Sequence, residues 1–259
     1  MRWYKIFALM YADLLLVKNS KWRVMEYLYF PITTIIIYGL FSVFMRAYAL
    51  EAGLIVFVVN IMWAFAQLAQ MHVNMTMNED SWSGSLKQII VTGVGDFEYI
   101  SARILSSIAI SIPILALLLG ISAFAFDLSI IFQHWQVFAA LFLATFIASI
   151  GLSVFLAGAM IALGREYSFL AWTAMQLFIL LSAPFYPISI FPEIMRPIVI
   201  IMPYTQIFEA ARHAISGNAS MDAALYGVYV SIAYFLISLP FYKYIFRKAR
   251  QKGWLVRLG

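Results

Sequence analysis

Amide and aromatic side chains recur at helical spacing in the apolar run at 52–73. Asn60, Trp63, Gln67 and Gln70 fall, with Asn74 just beyond the run, within an arc of about 120° on a helical wheel. Such a polar face is not expected to contact lipid, because an unpaired polar group is costly in hydrocarbon. The amides either hold neighbouring helices together or line a wet path for a ligand, and the sequence leaves both interpretations open.

Two weaker stripes of the same kind occur in other apolar runs. One lies in the run at 27–45 and the other in the run at 167–190. Aromatic rings beside amides suit a substrate that is partly apolar, although plain helix packing explains the pattern nearly as well. The candidate residues of a translocation path in the three runs are Thr34, Tyr38, Ser42, Asn60, Trp63, Gln67, Gln70, Trp172 and Gln176.

Other kinds of chemistry lack their residues in this sequence. There is no Gly-rich phosphate loop ending in Lys and Ser or Thr, and no Gly-x-Ser-x-Gly or His-Glu-x-x-His motif. Cysteine is absent, and His72, His134 and His213 are scattered without metal-ligand spacing. We therefore expect no catalytic residue, bound cofactor or metal in this chain. The apolar runs also contain no Asp or Glu, which weakens the case for an ion-coupled transporter.

The composition indicates the elements that must position these residues. Of 259 residues, 64% are hydrophobic and only 11% are charged, which nearly excludes a soluble fold. A helix needs about 20 apolar residues to cross a bilayer. We therefore predict one all-α membrane domain over 1–259, with spans at 27–45, 52–73, 104–126, 135–163, 167–190 and 223–242.

The distribution of basic residues predicts the orientation of these spans. With six spans, 14 of the 17 Lys and Arg residues fall on the side that holds both termini. Because basic residues stay on the cytoplasmic side, we expect a multi-pass protein of the cell membrane with both termini in the cytoplasm. Basic residues that flank spans favour lipid headgroups as partners rather than nucleic acid.

The segment at 1–26, before the first span, has the pattern of an amphipathic helix. Over 1–17, Arg2, Lys5 and Asp13 share one narrow arc, and apolar residues cover the rest. We expect an interfacial helix on the inner membrane surface. The alternative is a cytoplasmic helix buried against the bundle, which has the same pattern.

The cytoplasmic segment at 74–98 is expected to contain a short helix over about 83–91. Acidic and serine residues can cap its start, and Gly93 and Gly95 end it. Its apolar residues suit a docking surface for another protein, or a loop folded under its own bundle.

The external segment at 184–217 concentrates five of the eight prolines, all between 184 and 203. The 12 uncharged residues between Arg196 and Glu209 are too few to cross a membrane, so we expect a re-entrant pair of short helices. The second helix should run from about Thr205 to Gly217, with Glu209 placed to pair with Arg212 and His213.

This layout resembles the permease subunit of type-2 ATP-binding-cassette exporters over nearly the whole chain. The resemblance is sharpest at 79–92, where acids, small residues and Leu86 precede Thr92, and it recurs at 192–193, 203–205, 209–212 and in the basic tail at 248–253. Gly93 departs from the family, whose members often have proline there.

The resemblance implies a dimer of permease chains, homomeric or with a close paralogue, docked on two copies of a separate ATPase that binds ATP and Mg. Spans one, two and five would line the path. It assigns Glu79, Ser83, Leu86, Lys87 and Ile90 to ATPase coupling, and Pro192, Pro203, Glu209 and Arg212 to an external gate.

The function expected from the resemblance is export of a drug-like or lipid amphiphile, driven by the partner ATPase. Export of a lipid-linked polysaccharide is the alternative within this class. An ion-coupled carrier or a channel is the alternative of another class.

Overall fold

The computed structural model describes residues 2–252, and these residues form helices and turns without a strand. The tail motif at 248–253 therefore extends one residue beyond the described part. The helices, in chain order, are α1 (Trp3–Asn19), α2 (Lys21–Met45), α3 (Leu50–Trp82), α4 (Ser85–Val91), α5 (Asp96–Phe126), α6 (Ile130–Gln133), α7 (Trp135–Leu163), α8 (Leu170–Leu180), α9 (Arg196–Ile201), α10 (Pro203–Ile215) and α11 (Met221–Gln251).

Five helices of the described chain, α2, α3, α5, α7 and α11, are long and apolar enough to cross a membrane. The protein is thus an all-helical multi-pass membrane protein. The run expected to form the fifth of six spans contains a 3-10 turn at Arg165–Phe169 followed by the 11-residue α8. Since α8 rises only about 16 Å, it covers about half of a hydrocarbon core. The sixth crossing stays a prediction.

Helix boundaries follow the apolar runs closely in one case and exceed them in another. The bounds of α7 coincide with the run at 135–163. In contrast, α3 continues nine residues past the predicted end of its span, to Trp82. Asn74 Nδ2 donates to Ser153 O at 2.9 Å, and Asn78 Nδ2 donates to Ser168 O at 3.4 Å. Neighbouring helices thus satisfy polar residues that the sequence pattern assigned to a loop.

The most extensive contact between two helices of the described chain is that of α7 with α11, and small residues of α7 permit their close approach. A Cβ added to Gly151 would lie 3.1 Å from Phe235 Cα, and one added to Gly158 would lie 3.3 Å from Tyr242 Cα. Residue numbers on both helices increase together along these contacts, so α7 and α11 run parallel. The intervening segment at 164–220 must therefore return from the end of α7 to its beginning.

The helical hairpin of α9 and α10 forms the last part of this return. Pro203 begins α10, where a missing backbone N–H costs nothing. Beside it, the hydroxyls of Tyr204 and Ser149 lie 2.9 Å apart, and the hydroxyl of Tyr234 donates to Ile201 O. Ser149 and Tyr234 lie about 20 Å along α7 and α11, so the turn between α9 and α10 reaches well into the bundle. Its re-entrant location in a bilayer stays a prediction.

The first helix is anchored on α5 by its polar face. Asp13 is buried there, and Lys5 Nζ donates to Thr92 O and Gly93 O at 2.9 and 2.8 Å. The aromatic side chains of Trp3 and Phe7 are exposed instead. The helix thus packs on the bundle through its polar residues and leaves these aromatic side chains exposed, and its location at the membrane surface stays a prediction.

Candidate ligand cleft

A cleft of about 390 Å³ lies between α2 and α3 and is bordered by α8. Its lining positions on α2 and on α3 recur every three or four residues, so each helix contributes one continuous stripe. A volume of this size is within the range of small-molecule sites. The lining residues are Arg23, Glu26, Tyr27, Phe30, Pro31 and Thr34 of α2, Asn60, Trp63, Ala64, Gln67, Leu68, Met71, Met75, Thr76 and Glu79 of α3, and Trp172 and Gln176 of α8.

Six of the nine residues predicted to line a path border this cleft, and three do not. Tyr38, Ser42 and Gln70 lie elsewhere, with Ser42 and Gln70 buried. The six at the cleft come from all three predicted stripes. They are Thr34, Asn60, Trp63, Gln67, Trp172 and Gln176.

Gln70 acts as a link between helices rather than as a lining residue. Its Nε2 donates to Asn74 Oδ1 at 2.6 Å and to Ala171 O, at the start of α8, at 3.1 Å. Asn74 in turn reaches α7 through Ser153 O. Some amides on the polar face of α3 therefore hold helices together, as Gln70 and Asn74 do, whereas others border the cleft. Both interpretations that the sequence left open, helix packing and a path for a ligand, apply to this face, but at different residues.

The amides that border the cleft retain unused hydrogen-bonding groups. Asn60 is only 5% exposed, and its Oδ1 has no hydrogen-bond partner in the described protein. Gln67 donates only a long bond to the sulfur of Met71, at 3.6 Å. The Asn60 oxygen is enclosed by the protein, so Gln67, which is half-buried, is the amide that a ligand in the cleft can use.

A polar chain that the sequence analysis missed begins at Tyr27 in the cleft. Tyr27 Oη lies 2.8 Å from His72 Nδ1, and His72 Nε2 lies 3.0 Å from Ser106 Oγ. Ser106 Oγ donates to Asp13 Oδ2 at 2.9 Å. The signal for it was the single histidine in the second apolar run, since an ionisable residue within a span usually has a partner.

Arg103 binds the far end of this chain and joins three helices. Its guanidinium pairs with Asp13 of α1 and with Asp80 of α3, and Tyr99 donates to Asp80 Oδ2 at 2.6 Å. Burial raises the pKa of Asp13 above its usual value, and the positive charge of Arg103 opposes this rise. The sequence pattern places Asp13 on the polar face of the first helix, Asp80 in the segment at 79–92 and Arg103 among the basic residues beside the spans, and it does not predict that they pair.

The residues assigned to ATPase coupling do not share one exposed surface. Leu86 is only 1% exposed, because it packs into the apolar core at the end of the bundle where α4 lies. Glu79 lines the cleft and pairs with Arg23 at 2.6 Å. Lys87 and Ile90 are half-buried, and Ser83 is exposed. Val91, at the end of α4, is 86% exposed and was not among the assigned residues.

The residues assigned to an external gate lie outside the lining of the cleft. Pro192 is exposed, and Pro203 is buried at the start of α10. The predicted pairing of Arg212 with Glu209 is replaced by bonds from Arg212 Nη1 to Ala183 O at 2.5 Å and Pro184 O at 3.2 Å. Burial lowers the pKa of Arg212.

The hairpin reaches the cleft through a different residue. The ring of Tyr204, the second residue of α10, packs edge-on against Trp63 at 6.1 Å between centroids. Since Trp63 lines the cleft, the start of α10 contacts a wall of the cleft through this pair of rings.

Among residues 2–252, no three His, Asp or Glu side chains lie close enough together to hold a metal ion. No protein-family model matches the chain, and no curated protein matches it. Membership of the type-2 exporter family therefore stays a prediction from the resemblance in layout and motifs.

Proposed function

We propose that this chain is the membrane permease subunit of an exporter that moves an amphipathic or lipophilic substrate and is driven by a separate ATPase. The observation that supports the proposal is the cleft between α2, α3 and α8. These elements correspond to spans one, two and five, which the resemblance expects to line the path.

The character of the cleft supports a substrate that is partly apolar. Phe30, Trp63 and Trp172 supply aromatic surface, while Asn60 and Gln67 supply amide groups. An amphiphile can use both kinds of contact at once.

In this proposal, energy comes from ATP and Mg bound on the partner ATPase, and a second permease chain completes the transporter. Val91, the last residue of α4, is exposed at one end of the bundle and supplies an apolar contact for the ATPase. The arrangement of the partners follows the resemblance.

One observation favours an ion-coupled carrier as a second candidate. The hydrogen-bonded chain from Tyr27 through His72 and Ser106 to Asp13 joins the cleft to a buried carboxylate. Hydrogen-bonded chains of this kind carry protons in pumps and transporters.

Purification and transport assays separate the two candidates. The exporter proposal expects an ATPase to co-purify with the chain and expects export from cells to stop when ATP is depleted. Transport by liposomes that hold this chain alone, driven by a pH gradient, would support the carrier. A purified complex without any nucleotide-binding chain, with export unaffected by ATP depletion, would refute the exporter.

A further inference from the structure

The polar groups at the α4 end of the cleft carry an excess of negative charge. Glu26 and Glu79 face one basic residue, Arg23, which pairs with Glu79 at 2.6 Å. No ion pair holds Glu26 within the described protein, and its side chain is exposed. One carboxylate therefore remains uncompensated beside an otherwise largely apolar cleft.

The hydrogen-bonded chain determines the direction of each bond from Asp13 to Tyr27, and it leaves the Tyr27 oxygen able to accept a hydrogen bond from a ligand in the cleft. The Ser106 hydroxyl lies 2.9 Å from Asp13 Oδ2 and 3.0 Å from Arg103 O, and its single proton goes to the carboxylate, because a charged acceptor forms the stronger bond. Ser106 Oγ must then accept from His72 Nε2–H, which leaves Nδ1 as an acceptor.

Tyr27 consequently donates its proton to His72 Nδ1 at 2.8 Å. We assign this tautomer from the hydrogen-bond network. The remaining lone pairs of the Tyr27 oxygen are free to accept from a ligand in the cleft. A ligand that carries a hydrogen-bond donor is thus favoured beside it.

Further along the cleft, Gln67 supplies an amide that makes only a long bond to the sulfur of Met71. Asn60 borders the far end, and its amide oxygen is enclosed by the protein. Asn60 and Glu79 are 19 positions apart on α3, so the cleft extends about 28 Å along that helix. Phe30, Met71 and Trp63 border the length between them.

We infer that the cleft takes an amphipathic cation bearing an ammonium group. The ammonium lies beside Glu26 and donates to the oxygen of Tyr27. The apolar part extends along Phe30, Met71 and Trp63, where aromatic faces also attract a cation that enters. This inference rests on the proposed function, because it names the substrate class of the same cleft.

Three dansyl probes of equal length test the charge preference. One ends in a primary ammonium, the second in its N-acetyl amide and the third in a carboxylate. Energy transfer from Trp63 and Trp172 to dansyl reports binding to the purified chain in neutral detergent, and Trp63→Phe and Trp172→Phe identify the signal from the cleft. We expect the ammonium probe to bind about tenfold more tightly than the amide, with the carboxylate weakest.

Two variants locate the preference within the cleft. Glu26→Gln should bring the affinities for the ammonium and the amide within about twofold of each other. Glu193→Gln, at an exposed carboxylate near the external hairpin, is the matched control and should leave the ratio unchanged. Tyr27→Phe should weaken the ammonium probe several-fold, whereas Tyr38→Phe, outside the cleft, should not.

An ammonium group occurs both in soluble amphiphiles and in lipid headgroups, and competition separates these sources. Displacement of the probe by dodecylamine indicates a soluble amphiphile, whereas displacement only by phosphatidylethanolamine indicates a lipid. Either result supports the ammonium site.

Other outcomes would overturn the inference or the proposed function separately. Equal or tighter binding of the carboxylate probe would overturn the cation preference and leave the cleft as a ligand site. A preserved preference in a chain that never associates with an ATPase would refute only the exporter. Binding of none of the probes would count against both.

Discussion

At the scale of single residues, Gln67 and Gln70 show how adjacent turns of one helix serve different purposes. Gln70 is buried and donates to Asn74 and Ala171. Gln67 borders the cleft and makes only a long bond to Met71. The same side-chain type therefore supports the fold at one position and is available to a ligand at the other.

Gln70→Leu should lower the free energy of unfolding by about 1–3 kcal/mol, because it leaves buried acceptors on two helices without a donor. Gln67→Leu should change it by less than about 1 kcal/mol and should alter the affinity for amphiphilic probes instead. Thermal unfolding in detergent and probe titration measure the two effects. Equal loss of stability in both variants would contradict the division of this face.

Arg103 is a second residue whose side chain supports the fold, because its guanidinium lies between two carboxylates. Arg103→Met should destabilise the fold by about 3–5 kcal/mol, because Asp13 and Asp80 lose the cation between them. Arg46→Met is the matched control. Arg46 is exposed and donates to Phe126 O, so its loss should cost only about 1 kcal/mol.

The pH dependence of the thermal stability of Arg103→Met should show that the unpaired Asp13 carboxylate destabilises this variant. Burial already raises the pKa of Asp13, and loss of the neighbouring cation raises it further. A carboxyl whose pKa is higher in the folded than in the unfolded state stabilises the fold when protonated, and this contribution is lost as the pH rises. The variant should therefore unfold at a higher temperature at about pH 5 than at about pH 8. A double variant with Asp13→Asn should lose most of this difference.

At the scale of elements, α4 has one face in the bundle and one face outside it. Leu86 packs with Met77, Tyr99 and Tyr242 in the core at that end, whereas Val91 is exposed. A charge placed at Leu86 thus tests the stability of the bundle rather than the binding of a partner.

Val91→Asp should leave the chain folded and reduce the ATPase that co-purifies with it at least about fivefold, since a charge then enters an apolar contact. Ile194→Asp is the matched control, because Ile194 is 85% exposed and lies in the segment that is predicted to be external. Leu86→Asp should unfold the end of the bundle. Unchanged ATPase recovery with Val91→Asp would contradict a docking role for α4.

The elements also show what the sequence could predict. Apolar runs located the five long helices, since length and composition are local properties, and the short helix at 83–91 was placed within two residues of its start. The continuation of α3 to Trp82 was missed, because its amides are satisfied by helices distant in sequence. Asp13 and Arg103 are 90 positions apart, so their pairing required the fold.

Of the candidate site, the sequence predicted the three stripes but not how each side chain is used. Asn60 and Gln67 carry side-chain amides at the same helical spacing as Gln70. Only the positions of α7 and α8 determine which of these amides border the cleft and which one links helices. Likewise, Arg212 has Glu209 as a helical neighbour, yet it donates to the carbonyl oxygens of Ala183 and Pro184, in the segment that follows α8.

At the scale of the whole molecule, parallel packing of α7 and α11 constrains the path of the chain. The cluster of Leu86, Tyr99, Ile161 and Phe246 brings α4 and the ends of α7 and α11 to one end of the bundle. The segment between α7 and α11 must return to the opposite end of the bundle, although α8 alone is short. We therefore expect α4 and the end of α11 on one side of the membrane and the external hairpin on the other.

Single cysteines can test this arrangement directly, because the chain has none of its own. Val91→Cys and Arg250→Cys should react with a membrane-impermeant maleimide only after cells are broken. Ile194→Cys should react in intact cells. Labelling of Arg250→Cys and Ile194→Cys from the same side would contradict a single crossing by α11 between them, and labelling of Val91→Cys and Arg250→Cys from opposite sides would contradict an even number of crossings between those two residues.

The same parallel pair has a consequence for biosynthesis. The surface of α7 around Gly151 and Gly158 fits the backbone of α11, which leaves the ribosome only after α8, α9 and α10 have been made. Until then, this small-residue groove has no partner, and the turn at Ile201 lacks its bond from Tyr234. Nascent chains interrupted before α11 would thus carry an open groove that membrane proteases and chaperones can recognise.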